Sequence, residues 1–321
     1  MNRFEDLETF VCVAEHGSVR RAADQLQRAP SAVSRRIKEL EARLRVQLFI
    51  RTTRHINLTE AGERFLARAQ RILSDLEEAE EGAAADTQAI SGKLRITVPL
   101  SFGVAHIAPA INDFMTENPD VSIEADFSDR TVDIIANRFD LALRIGKLDD
   151  SSLRARRLAP IHHIVDASPG FWKAHRKPRE PDKLSLLPAL CYSNLATPSL
   201  WSWSSAKGQS GQVSVSARYM ASNGDALLSA AISGQGVIRL PTFLVNQAIA
   251  SGELQAVLMN YNWGVAGLYA VYPDTAFLPN RTRKFIDFLG QRFGDKPVWD
   301  TCLRAHLKSI GSAPEVFVAG H

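Results

Sequence analysis

The chain has 321 residues, 45% of them hydrophobic and 23% charged, with a net charge of +3, an ordinary balance for folded globular protein and a length that calls for two or three domains. No apolar run approaches the roughly 20 residues of a membrane span and residues 1–6 carry no signal-peptide core, so a cytoplasmic location without membrane contact is expected. Cys12, Cys191 and Cys302 stand apart, with no CxxC pair or Cys/His cluster to hold a metal, and Cys12 in the apolar run 10–14 reads as a small buried hydrophobe.

The first signal in chain order is a pair of short amphipathic helices. In residues 18–26, Val19, Ala22, Ala23 and Leu26 fall at helical spacing, and the two alanines are small enough for a second helix to cross closely. Residues 27–30 read as the turn between them. In residues 31–44, Val33, Ile37, Leu40 and Leu44 form one stripe, with Ser31, Ser34, Arg35 and Lys38 off it. A basic, hydroxyl-bearing face on the second helix of such a pair suits a DNA major groove, where Arg binds guanine and Ser donates to base or phosphate. Leu48, Ile50, Ile56 and Leu58 then flank a polar, cationic tip, which predicts a two-stranded wing with Arg51 and Arg54 near phosphates. Thr59 reads as the N-cap of the next helix. The small net charge hides a strong asymmetry, because Arg20, Arg21, Arg28, Arg35, Arg36, Lys38, Arg43, Arg45, Arg51 and Arg54 crowd this head while Glu77, Glu78, Glu80 and Glu81 crowd the helix after it. The candidate DNA-contacting set is Arg20, Arg28, Pro30, Ser31, Ser34, Arg35, Lys38, Arg51, Thr53 and Arg54.

The string Ala22-Ala23, Leu26, Ala32-Val33-Ser34, Ile37, Leu40-Glu41, Leu44, Leu48-Phe49, Arg51, Arg54 and Leu58-Thr59-Glu60-Ala61-Gly62 resembles the winged helix-turn-helix of the LysR-type transcriptional regulators, densely over residues 1–62. It departs where that family usually shows Ser-Gln-Pro, since Ala29-Pro30-Ser31 opens the second helix here. The hydroxyl N-cap is missing, a loss of about 0.5–2 kcal/mol that a Pro at the first helical position offsets only in part. Pro30 cannot hydrogen-bond a base, so direct readout falls to Ser31, Ser34 and Arg35.

Over residues 60–90, Ala61, Phe65, Leu66, Ala69, Ile72, Leu73, Leu76 and Ala79 recur at three and four residues. A stripe this long is expected to pair with a second copy, the alternative being packing on the chain's own C-terminal domain. The resemblance implies an antiparallel dimer contact there, placing two recognition helices on successive half-sites. Residues 86–92 read as a hinge.

From Lys93 the pattern alternates strands and helices, as in an α/β region. Strands are predicted at 94–98, 121–125, 140–145, 163–167, 189–192, 236–241 and 267–272, with β structure over 211–220. Residues 99–103 read as a loop, 104–114, 226–232 and 281–293 as helices, 131–137 as a short helix, and Pro169 as the start of another. The stretch 93–294 resembles the periplasmic-binding-protein-like effector domain of the same family. The resulting expectation is a multidomain chain: an α-rich winged helix-turn-helix head (1–59), a linker helix (60–90), a two-lobed α/β effector domain (91–294; lobe I 93–165 and 267–294, lobe II 166–266) and a tail (295–321).

Ligands of such a domain bind between the lobes, where loop N–H groups and helix N-termini attract anions. The loops expected there supply Ser101 and Phe102, Ser128 and Arg130, Ser193, and Asn223 and Gly224, with Arg144 as the cation for a carboxylate. Ser101 and Asn223 also read as simple N-caps, and Arg144 as an ion-pair partner of Asp129 or Asp149. His162-His163 lies at the lobe crossover without an acidic or thiol partner at ligand spacing. Trp201 and Trp203 alternate as in a strand and read as lobe II core. The tail, with a short helix expected over 299–307, reads either as a cover for a partner subunit or as mobile.

An enzyme is disfavoured, because G-x-S-x-G, the P-loop, a G-x-G-x-x-G after a strand and H-E-x-x-H are all missing. A free-standing solute-binding protein leaves the basic head unexplained. The resemblance implies a transcriptional regulator of dyad promoter sites, responsive to a small carboxylate or aromatic acid. Its expected partners are double-stranded DNA, itself as homodimer or dimer-of-dimers homotetramer, the effector, and RNA polymerase at the promoter. No cofactor is expected. A constitutive DNA-binding repressor whose α/β domain serves only oligomerisation is the alternative.

Overall fold

The computed structural model describes residues 2–51, 56–83, 90–130, 132–146, 153–274, 278–300 and 303–304. It forms two compact units, Met1–Gln88 with Phe277–Asn280, and Ala89–Ala276 with Arg281–His321.

In the first unit, α1 (Arg3–His16), α2 (Val19–Gln25) and α3 (Pro30–Leu44) close on Phe10, Val13, Ala22, Ala23, Val33, Ile37 and Leu40. Ala22 and Ala23 are fully buried, so nothing larger than a methyl group fits where the helices cross. Leu44 departs from its expected place on the buried stripe and is 38% exposed, because α3 ends there on Arg45 in the left-handed region (φ 52°). At its other end α3 starts from Ala29 with no side-chain cap and with Pro30 in the first turn.

The wing is β1 (Phe49–Arg51) paired antiparallel with β2 (Ile56–Leu58), its tip lying outside the described residues. Its root is tied to α3 by Glu41, whose Oε1 accepts from the backbone N–H groups of Leu48 (2.8 Å) and Phe49 (3.1 Å). Thr59 Oγ1 donates to the Gln47 carbonyl (2.8 Å) and accepts from the Gly62 N–H (2.9 Å), which caps α4 (Glu60–Ala83). A Cβ at position 62 would stand 2.1 Å from the Leu48 carbonyl oxygen, so Leu48-Phe49 and Thr59-x-x-Gly62 are one packing unit.

The stripe on α4 is split between uses. Leu66 and Ala69 are buried in the head's own core, with Phe65 and Leu73 packed against it and the Phe65 ring 5.1 Å from that of Phe10. The first half of the stripe therefore serves this head and not a second copy. Ile72, beside Leu73 on the same helix, is 44% exposed.

The second unit runs β3 (Gly92–Val98), α5 (Leu100–Phe102), α6 (Ala108–Glu117), β4 (Val121–Phe127), β5 (Leu141–Gly146), β6 (Leu153–Ala167), α7 (Pro169–Ala174), β7 (Pro188–Tyr192), β8 (Leu200–Ser205), β9 (Ser210–Ser214), β10 (Ser216–Ala221), α8 (Gly224–Ile232), β11 (Val237–Pro241), α9 (Thr242–Ala250), β12 (Gln255–Val257), β13 (Tyr261–Asn262), β14 (Val265–Pro273) and α10 (Asn280–Phe293). The main sheet is ordered β10-β7-β11-β6-β14-β5-β3-β4, with β12 also on β6. Strands β3, β4 and β5 are parallel, as are β7, β10 and β11. Between these trios lie the antiparallel crossovers β6 and β14. Strand β6 changes partner between adjacent residues: Leu153 to His162 lie along β14, and His163 to Asp166 lie along β11. That switch divides the unit into two lobes.

Several local expectations are corrected. Residues 99–103 are not a loop, since α5 begins at Leu100 and runs on through Gly103–Ile107 as a wide turn closed by the Ala108 N–H on the Gly103 carbonyl. The glycine permits this, because a Cβ there would stand 2.6 Å from the Phe127 ring. Residues 132–137 form turns in place of a helix: Asp133 Oδ1 accepts from the Ile135 and Ala136 N–H groups, and Arg138 at φ 60° ends the segment; Thr131 lies outside the described residues. The β structure at 211–220 is two strands in two sheets. Pro241 ends β11, as the predicted strand at 236–241 has it, and leads directly into α9. Trp201 sits in the lobe II core, with Trp203 packed against it beside Tyr261.

One buried polar group runs against the core's chemistry. Asp166 is fully buried and neither carboxylate oxygen has a hydrogen-bond partner among the described residues, and burial pushes its carboxyl well above the usual value. A raised acid is held protonated by the folded state, so its contribution is intact below the ordinary carboxylate range and declines as pH climbs toward the raised value. Asp166→Asn is therefore expected to gain stability over the parent as pH rises from about 4; urea melts at pH 5 and 7.5 showing an equal difference would refute this. Gly62→Ala is expected to cost about 2 kcal/mol in the same melts through the clash with Leu48, and an unchanged midpoint would show that wing and helix are not locked together.

Candidate functional site

The basic head is less uniformly free than its composition suggests. Glu5 and Asp6 on α1 take up three of its cations: Arg36 Nη1 lies 2.5 Å from Glu5 Oε2, Arg43 Nη2 3.1 Å from Asp6 Oδ2, and Arg28 Nη2 3.5 Å from Glu5 Oε2. Asp6 is only 1% exposed, and burying a carboxylate so deeply is costly unless a cation lies against it. Hydrogen bonds from Asn2 and Arg36 hold the Glu5 carboxyl below its usual value. Arg28, expected at DNA, thus has an intramolecular partner. What α3 presents outward is Arg35, whose side chain is 79% exposed and meets Glu39 at 3.6 Å. Arg20, Pro30, Ser31 and Lys38 are exposed too, and Ser34 is half-buried. The backbone of Arg51 lies in β1, its side chain outside the described residues along with Thr53 and Arg54.

In the second unit a cavity of about 470 Å³ opens where the lobes meet. Ser101, Phe102, Ser128, Arg130, Arg144 and Gly224 all line it. Phe102 is itself fully buried and forms the floor. Ser193 and Asn223 are not on the wall. Ser193 gives its N–H to the Ala221 carbonyl (2.9 Å), and its neighbours Tyr192 and Asn194 line the cavity instead. Asn223 is the N-cap of α8, its Oδ1 accepting from the Ala226 N–H (3.0 Å), as its simpler reading has it. Ser101 is no cap. Its hydroxyl donates to Asp225 Oδ2 (2.5 Å), joining the start of α5 in one lobe to α8 in the other. The capping carboxylate is Asp129, whose Oδ1 accepts from the Leu100 N–H (2.9 Å).

Arg144, at the end of β5, has no salt-bridge partner within 4 Å among the described residues and leaves Nη2 buried without a hydrogen bond. Asp149 lies outside the described residues. Burial lowers the Arg144 pKa, opposed by the charges of Asp126 and Asp129. Sequence reasoning missed a second such group, Arg239 in β11. Its Nη1 donates to the Trp263 carbonyl (3.0 Å), while Nε is buried and unpartnered. Burial lowers its pKa as well. Guanidinium stays charged under any ordinary condition, so two incompletely paired cations face one cavity, one from each lobe. A signal existed in Val-Ile-Arg-Leu-Pro, where one charge interrupts an otherwise apolar strand. His163 completes this wall, held neutral with a pKa of about 3 by burial and by the Arg239 charge. Among the described residues no three His, Cys, Asp or Glu side chains cluster as metal ligands, and no helix is long and apolar enough to cross a membrane.

Comparison with known proteins accounts for both units. The family model described as the bacterial regulatory helix-turn-helix protein, lysR family, matches residues 4–63, and the LysR substrate binding domain matches residues 87–294. The chain is 35% identical over 296 residues to the HTH-type transcriptional regulator PtxR of Pseudomonas aeruginosa, covering 91% of this chain and 93% of that one. It is also similar to the solved structure of CrgA, a LysR-type transcriptional regulator from Neisseria meningitidis, at 35% identity and a TM-score of 0.58, covering 91% of this chain and 99% of CrgA. The full-length structure of the Vibrio cholerae virulence activator AphB matches at 29% identity and a TM-score of 0.56, over 90% and 98% of the two chains. These relatives regulate transcription and are not enzymes. A DNA-reading head followed by a two-lobed ligand-binding unit, matched along nearly its whole length, places this chain in the LysR family of bacterial helix-turn-helix transcriptional regulators.

Proposed function

We propose that this regulator works in the cytoplasm as a homodimer or dimer of dimers on dyad-symmetric promoter DNA, and that a small anionic effector in the interlobe cavity adjusts its hold on that DNA. The observation that carries the effector class is the pair Arg144 and Arg239, each with a buried donor lacking a partner. Such a donor costs about 1–3 kcal/mol until something accepts from it, and a carboxylate answers both the charge and the planar donor geometry of guanidinium. Ser128 and Arg130 supply further donors on the same wall. Because the two arginines belong to different lobes, an anion that touches both favours the arrangement in which the lobes approach. A ligand with such differential affinity shifts the lobe equilibrium, and a coupling of about 1–3 kcal/mol suffices to change DNA occupancy or bend. Ile72 on α4, exposed at 44%, offers an apolar contact to a second copy, and pairing along this helix would set two α3 helices at half-site spacing.

On DNA, direct readout falls to Ser31, Ser34 and the exposed Arg35, with Arg20, Lys38, Arg51, Thr53 and Arg54 on phosphates. Arg35→Ala is expected to weaken operator binding more than random-DNA binding, whereas Arg54→Ala weakens both alike and flattens the salt slope by about one unit. Equal losses on both DNAs for Arg35→Ala would remove its base-reading role. For the cavity, thermal melts across a panel of small carboxylates and their uncharged amides are expected to show stabilisation by at least one carboxylate but not its amide, and its loss in Arg144→Gln and Arg239→Gln. Equal stabilisation by the amides, or none by any carboxylate, would contradict an anionic effector.

A further inference from the structure

The chain continues past Phe293, and past residue 294 where the family's ligand-binding domain ends. Its next described residues are packed into the chain's own ligand-binding unit. Residues 298–300 are helical, and Trp299 and Asp300 are each only 2% exposed.

Trp299 is wedged between aromatic rings of both lobes. Its ring lies 5.3 Å from Phe102, 4.7 Å from His106 and 5.7 Å from Phe293 on the lobe I side, and 6.5 Å from Phe243 at the start of α9 in lobe II. Asp300 divides its two oxygens between the join and lobe II. Its Oδ2 is 2.7 Å from His162 Nδ1 and its Oδ1 accepts from Thr242 Oγ1 at 2.6 Å. His162 is the last residue of β6 paired with β14, and Thr242 directly follows Pro241, which pairs with His163. Leu303 then joins the buried cluster of Leu240, Val245 and Ile249 in lobe II. Three of these anchors, His162, Thr242 and Phe102, adjoin or belong to the cavity wall that contains His163, Pro241 and Phe243.

From this placement we infer that Trp299, Asp300 and Leu303 form a clasp across the lobe crossover, with Trp299 and Asp300 acting as positioning residues that limit rotation of the lobes about His162-His163. Rotation stretches both attachments at once: the indole is held by rings on both sides, and the Asp300 carboxylate is shared between the crossover strand and the first turn of α9. A ligand that alters the lobe angle acts against this restraint, so the tail sets the free energy separating the two arrangements. The inference stands on these contacts and is independent of which ligand fills the cavity.

Hydrogen exchange on the full-length protein tests it. Trp299→Ala is expected to speed exchange about tenfold in peptides spanning 160–166, 238–244 and 262–268, while peptides spanning 94–98 in lobe I and 226–232 in lobe II keep their protection. Trp299→Phe restores the parent pattern. Asp300→Asn, which keeps the shape and removes the charge, gives the same local pattern to a smaller degree and decides the matter if Trp299→Ala does not fold. Unchanged exchange at the crossover, or acceleration spread evenly over both lobes, would overturn the clasp and leave the tail as ordinary core.

Discussion

Everything in the ligand-binding unit depends on one strand serving two sheets' worth of neighbours. Strand β6 is paired with β14 up to His162 and with β11 from His163, so the lobes are joined by continuous backbone at the point where the strand exchanges one partner for the other. A cleft opens at that exchange. What lines the cleft is then decided by which residues flank that exchange: Arg144 toward the end of β5, Arg239 within β11 and the glycine-containing turn that leads into β14. Placing guanidinium groups there without carboxylate partners is costly in an isolated domain, and it is the kind of local conflict that marks a binding site.

The head shows the opposite use of charge. Glu5 and Asp6 neutralise Arg28, Arg36 and Arg43 within the fold, so a substantial part of its basic character is structural. The outward face of α3 is narrower, centred on Arg35, Ser31 and Lys38. Glu41 and Thr59 settle the root of the wing by satisfying the backbone at Leu48, Phe49 and Gln47. The residues that carry the resemblance to the family, Leu40-Glu41, Leu48-Phe49 and Thr59 to Gly62, are thereby explained by hydrogen bonds and by one close approach, not by contact with DNA.

Short, strongly periodic stretches were legible from sequence because a helix stripe or a strand alternation is a local property: α2, α3, β3, β11 and α10 all belong here. The residues 99–103 misled, because Gly103 reads as a breaker yet serves to bring a helix close to Phe127 and Val98. The segment 131–137 has helical composition, but Asp133 caps its own following turn and stops it. Cavity residues divided on the same principle. Those at loop starts, such as Ser101 and Ser128, are visible as sequence punctuation, whereas Arg239 and His163 sit mid-strand and are brought to the cavity by the crossover. Asn223 shows the reverse case, a polar loop residue absorbed by capping a helix. The partner of His162 is 138 positions away at Asp300, a distance at which no spacing rule operates.

The most direct test of the account is a footprint on DNA fragments selected from genomic DNA by the purified protein, repeated with the anionic and the neutral small-molecule fractions of a cell extract. The account requires a dyad-symmetric protected site whose pattern changes with the anionic fraction for the parent and not for the Arg144→Gln, Arg239→Gln double variant. A pattern that changes only with the neutral fraction, or that is the same under every condition, would contradict the claim that an anion held between the lobes controls the head.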